Sequence, residues 1–143
     1  MNGELDNDEL AMANTFQKEE RLGGLKIFEE LTSKGSSFFV HPFKIVWMPI
    51  KAEQKFPARV AFAVPKRNFK SAVKRNRIKR QLREAYRLHK TEFYNSLELK
   101  SVKIVVMFVY TQKELPSYAG LEGKIILSLQ RLVKAVDGAN KTN

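Results

Sequence analysis

Apolar residues return at helical spacing in three stretches of the chain and follow strand-like patterns between them. Leu22, Leu25, Phe28 and Leu31 recur every third residue, and Lys34-Gly35 follows as a C-terminal stop. The spacing predicts a short helix over 24–33 whose apolar side docks on a sheet. Residues 37–40 and 43–49 are rich in aromatic and β-branched side chains. Pro42 interrupts them and cannot donate to a central ladder, so they form two strands or one bent one. Polar residues 51–57 separate these from a further strand at 59–64, at a spacing that suits a hairpin connection. There Val60, Phe62 and Val64 alternate with Arg59, Ala61 and Ala63. The large side chains suit a core, and the small ones leave room for a ligand on the opposite face.

A second helix is predicted from residue 71, with Ser71 as its N-cap. At about 100° per residue, Ile78, Leu82, Ala85, Tyr86 and His89 fall in one arc. Asn76, Lys79, Arg80, Arg83, Arg87 and Lys90 fall in another. The run VKIVVMFVY at 102–110 is apolar on both faces, as a central strand must be. Ser117 is placed to cap a last helix with Leu121, Ile125, Leu129, Leu132, Val133 and Val136 as its buried stripe, closed by Gly138. The order α-β-β-β-α-β-α indicates a two-layer α+β sandwich. Residues 1–14 are acidic, without hydrophobic periodicity, and are expected to be a disordered extension. Residues 15–137 then form a single domain, and 138–143 a flexible tail.

Charge changes the picture more than overall composition does. The 143 residues carry a formal net charge of +11. Between Lys66 and Lys90 lie eleven Lys or Arg against one acid, Glu84, a local charge of +10. Ordinary surfaces intersperse the two signs. A segment of one sign is the electrostatic footprint of a nucleic-acid binder. Arginine's planar fork meets phosphate oxygens two at a time, so cations on successive helical turns can follow a phosphate backbone. Asn76, set among them, offers a donor and an acceptor to a base edge or a sugar hydroxyl.

Protein-only catalysis leaves residue traces that are missing here. His41 and His89 are the only histidines; one adjoins a strand-breaking proline and the other faces the helix's apolar side, so both read as structural. Glu19-Glu20 and Glu29-Glu30 are adjacent pairs that point different ways on a helix, which suits solvated surface. No glycine-rich phosphate loop is present, and no metal site is expected. With no cysteine in the chain, disulfides and thiolate metal sites are excluded, and a cytoplasmic location fits. No apolar run nears the roughly 20 residues that span a bilayer, so no membrane association is expected. Phe28, Trp47, Phe62 and Phe108 are candidates for base stacking, but their spacing suits a core; Phe28 is the best placed to touch RNA.

The string FAVPKRNFKSAVKRNRIKRQLREAYR, residues 62–87, resembles the protein subunit of bacterial ribonuclease P, whose signature is an arginine-asparagine-arginine core after a strand and a basic loop. Here that core is Arg75, Asn76 and Arg77. The resemblance spans residues 15–136, from Arg21-Leu22 and the Phe28 helix to the amphipathic last helix. It implies a mixed sheet of about four strands with an unusual left-handed βαβ crossover, where general rules favour the right-handed one. It implies partnership with the ribonuclease P RNA subunit and precursor tRNA, with no obligate protein partner. The RNA subunit would carry catalysis, and the protein would assist endonucleolytic removal of the 5′ leader. Mg2+ is expected in the holoenzyme, bound mainly by RNA. Carried onto matching positions, Lys66, Arg67, Lys74, Arg75, Asn76, Arg77, Lys79, Arg80 and Arg83 become RNA contacts. Phe28, Val46, Ala61 and Ala63 become the leader cleft. The chain departs from its relatives at Val46 and Thr32, where aromatics are common, and in its acidic N-terminus. The connection 68–71 is about one residue longer.

Overall fold

The computed structural model describes residues 16–51 and 53–141; the acidic extension at 1–14 lies outside them. After a 3-10 turn at Lys18–Glu20 come helix α1 (Leu25–Lys34) and strands β1 (Ser36–Val40), β2 (Phe43–Pro49) and β3 (Ala58–Ala63). Helix α2 (Ala72–Leu99), strand β4 (Ile104–Tyr110) and helix α3 (Tyr118–Lys141) complete the α+β architecture. Gly24 precedes α1 at φ 102°, a backbone region that penalises any Cβ. Gly35 follows it in ordinary extended backbone, but a Cβ there would lie 2.4 Å from the Leu31 carbonyl oxygen. The α1-to-β1 corner thus requires a glycine by proximity.

The sheet order is β1-β2-β4-β3, with β1·β2 and β2·β4 antiparallel and β3·β4 parallel. Pro42 marks the boundary between two strands. The hairpin expected between the second and third strands does not form, because β4 lies between them. Segment length allowed either outcome. Burial decided it, since β4 has the most apolar sequence and gains most from a ladder on each side. Strand β3 is left at the edge, and α2 provides its crossover to β4.

Alternation sorts the strands onto two faces. Phe43, Ile45, Trp47, Val60, Phe62, Val106 and Phe108 meet α2 and α3 in the main core. On the other face, Val46, Met48 and Val105 pack with Leu22 and Leu31, covered by α1. Leu25 stands 75% exposed, so α1 docks through Leu31, Ile27 and Phe28 and not along the full predicted stripe.

Two elements outrun their expected ends. Helix α2 continues about ten residues beyond the basic stripe because Phe93, Tyr94 and Leu97 extend its buried side. It stops where Ser101 takes φ 54° and donates to the Glu98 carbonyl, while Val102 donates to that of Leu97. Gly138 does not close α3, which runs to Lys141. A glycine ends a helix by turning left-handed, and Gly138 has no positive φ.

Candidate nucleic-acid interface

Helix α2 starts on a cap, the Ser71 hydroxyl accepting from the Lys74 N–H at 3.3 Å. Ile78, Leu82, Ala85 and Tyr86 are fully buried beneath it, which turns the basic arc outward. Lys66, Arg67, Lys74, Asn76, Arg77, Arg80 and Arg83 are exposed, and Lys79 is half-exposed. Among the described residues, Lys74, Arg77, Lys79, Arg80 and Arg83 pair with no carboxylate. Their charge is available to a polyanion. Arg77 sits about 100° round the helix from Asn76 and about 60° from Arg80, on the flank that carries Glu84, so the stripe is broader than one groove.

Arg75 differs from the rest. It is half-buried, and one guanidinium nitrogen donates to the carbonyls of Phe69 at 2.6 Å and Lys70 at 3.0 Å. It fastens the basic loop to the first turn of α2, a structural duty beside any contact with phosphate. His89 has left the apolar side and faces Glu122 at 3.1 Å, tying α2 to α3.

Lys90 lies in the basic arc by helical angle yet is only 2% exposed. Its ammonium pairs with the carboxylate of Glu20, which is fully buried. The expectation of a solvated Glu20 is thereby corrected. The carboxylate also accepts from the Tyr94 hydroxyl at 2.8 Å and from the Gln17 N–H at 2.5 Å, so each of its oxygens is satisfied. Burial pushes Lys90 below the ordinary lysine range, opposed by Glu20, and pushes the Tyr86 and Tyr94 hydroxyls far up. Half-buried Glu84 is held below the usual carboxylate range by the hydrogen bond from Arg87.

This buried pair explains the course of the N-terminal segment. Phe16 joins the main core, edge-on to Tyr86 at 5.6 Å and to Phe62 at 6.3 Å. Leu22 belongs to the cluster on the opposite face. The chain between them rounds the free edge of β3, where Arg21 bridges Val60 and the Leu22 N–H donates to the Val60 carbonyl at 3.0 Å. A recess of about 480 Å³ results, walled by Phe16 and Arg21 on one side and on the other by Asn76, Lys79, Arg80 and Arg83 with the Glu84–Arg87 ion pair. Sequence reasoning missed Phe16 and Arg21. An aromatic five residues before an arginine is no signal until β3 supplies the wall.

On the other sheet face, register fixes two rows. Ser37, Val46, Met107 and Ala61 form one; Phe39, Lys44, Val109 and Ala63 form the next. Helix α1 covers much of the first row, and Val46 is 8% exposed beneath it. Val46 is therefore a packing residue under α1, and not the open wall expected for it. Phe28 and Ala61 are half-buried beside it, and Ala63 lies in the second row, where Phe39 is 64% exposed and Lys44 is exposed. Phe39 and Lys44 were missed as well. They are the large exposed members of the open row, and their outward direction was already present in the alternation with Val40 and Phe43.

Among the described residues no three carboxylate or imidazole groups converge on one point, and no helix is long and apolar enough to cross a membrane.

Known proteins match this arrangement. The ribonuclease P family pattern covers residues 16–133. The ribonuclease P protein component of Porphyromonas gingivalis is 30% identical over 128 residues, which are 90% of this chain and 93% of that protein. That of Petrotoga mobilis is 39% identical over 79 residues, 55% of this chain and 64% of that protein. In fold, a Staphylococcus aureus RNase P protein mutant superposes with a TM-score of 0.64 at 20% identity, covering 92% of this chain and 98% of the other. The Thermotoga maritima RNase P protein gives 0.61 at 20% identity, covering 78% and 96%. A chain that places an arginine-asparagine-arginine core on an outward basic helix beside a four-stranded mixed sheet, and matches that family over most of its length, belongs to the ribonuclease P protein component family.

Proposed function

We propose that this chain serves ribonuclease P by holding RNA, leaving bond cleavage to the RNA subunit. The observation that carries the reading is the set of cations on α2 that no carboxylate neutralises among the described residues. Lys66, Arg67, Lys74, Asn76, Arg77, Lys79, Arg80 and Arg83 lie against the RNA subunit, with Arg75 holding the loop that presents the first of them. The 5′ leader of precursor tRNA runs over the open row of the sheet, past Phe28, Ala61 and Ala63. Phe39 offers that strand an exposed ring, and Lys44 a phosphate contact.

Because the leader is absent from the product, contact with it favours precursor over mature tRNA. Each increment of about 1.4 kcal/mol in leader contact gives roughly tenfold discrimination. Magnesium enters through RNA and phosphate oxygens, which suit its octahedral, water-rich coordination. The test is reconstitution with the RNA subunit. Added protein should restore precursor cleavage at low magnesium and bind precursor more tightly than mature tRNA at matched ionic strength. Equal affinity for the two, or cleavage by the protein without RNA, overturns the reading.

A further inference from the structure

We propose that Phe16 and Arg21 complete the α2 recess as a subsite for one unpaired nucleotide of RNA, its base stacked on the Arg21 guanidinium and its phosphate held by Arg80 and Arg83. The inference rests on the RNA-binding reading above and narrows it to one place.

Three observations carry it. The first is the shape of the Arg21 environment. The guanidinium carbon lies over the Phe16 ring at 5.5 Å, and one of its nitrogens donates to the Phe16 carbonyl at 3.1 Å. One side of the group is therefore backed by an aromatic ring, while the residue stays exposed. Bases stack on such planes when they are unpaired.

The second is preorganisation. The Arg21 N–H donates to the Lys18 carbonyl at 3.1 Å, and the next residue is tied to β3. The residue before it, Glu20, is the buried anchor held by Lys90 and Tyr94. A surface arginine normally loses much conformational freedom on binding. Here the backbone on both sides is fixed beforehand, and that loss is reduced.

The third is the opposite wall. Arg80 and Arg83 stand one turn apart with no carboxylate partner among the described residues, the exposed Asn76 amide shares the recess, and the one carboxylate that lines it, Glu84, is engaged by Arg87. Phosphate, base face and base edge each find a matching group within about 480 Å³, a volume inside the range of about 300–1,000 Å³ common to small-molecule sites. A duplex would use only the charges, because its base faces are already stacked.

The test compares oligo(A) with an abasic strand of equal length and charge, at one salt concentration, on the full-length protein. Wild type should prefer oligo(A) by about five- to tenfold, the low end of one base stack. Arg21→Lys keeps the charge but not the plane. It should lose that preference while holding the abasic strand as wild type does, and Arg21→Ala should weaken both. A preference that survives Arg21→Lys, or no preference in wild type, overturns the subsite while leaving general RNA binding intact. Failure to bind either strand overturns both readings. The source of the nucleotide follows from two further titrations of Arg21→Lys. A weaker hold on the RNA subunit assigns it there, and reduced discrimination of precursor from mature tRNA assigns it to the leader. No change in either overturns the proposal.

Discussion

Breaking the Glu20–Lys90 pair should unfold the protein more readily than any surface change. In Glu20→Gln the shape is nearly kept, but the Lys90 ammonium stays buried without a counter-charge. Removing one partner of a buried ion pair costs about 3–5 kcal/mol, a large part of a total stability of about 5–15 kcal/mol. At about 3–4 °C per kcal/mol for a chain of this size, Tm should fall by roughly 10–20 °C. Lys90→Met should lose a similar amount, because the carboxylate keeps only its bonds from Tyr94 and Gln17. The double variant should lose far less than the two single losses combined, since neither charge is then stranded.

The pH dependence has a definite sign. Lys90 titrates below the ordinary lysine range through burial, and Glu20→Gln removes the group that opposes this shift. Between the folded-state pKa and the unfolded value of about 10.4, the unfolded chain binds more protons than the native one, so stability rises with pH. The Glu20→Gln deficit should therefore shrink as pH is raised from 7 towards 10. The assay is urea unfolding followed by far-UV circular dichroism across that range. Single losses below about 1 kcal/mol that simply add in the double variant would mean that the two side chains are solvated, contrary to their burial.

Leu82→Ala should cost about 2–5 kcal/mol in the same assay, because the side chain is fully buried and leaves a cavity. Arg80→Ala should leave Tm within a few degrees yet lower the magnitude of the log-log salt slope of single-strand RNA binding by about 0.7 per lost phosphate contact. Arg75→Ala should lower both affinity and stability, since its bonds to Phe69 and Lys70 are lost with its charge; an unchanged Tm would deny the structural role. Gly35→Ala should destabilise measurably, as its Cβ would stand 2.4 Å from a backbone oxygen that cannot move away cheaply.

The periodic parts of the fold were legible because each needs only near neighbours. Ser71 caps α2 by reaching three residues, Val60 and Phe62 turn inward by alternation, and Ile78, Leu82, Ala85 and Tyr86 share an arc by helical spacing. Charge density alone marked residues 66–90 as strongly basic. The family string around Arg75, Asn76 and Arg77 added the expected partners.

What pairwise proximity across the chain decides was not written in any local pattern. Glu20 and Lys90 are 70 residues apart, and each alone looks like a solvated charge. Only the path of the N-terminal segment round the β3 edge buries both, and it is the same path that sets Phe16 and Arg21 against the basic helix. Likewise β3 fell to the sheet edge because β4 competes better for the centre, and Val46 was covered because α1 lies across its row. Local sequence determined the elements and the charge, since both follow from residue type and spacing. Tertiary structure decided which charges are buried and which face outward, because desolvation depends on what packs against a side chain and not on what precedes it.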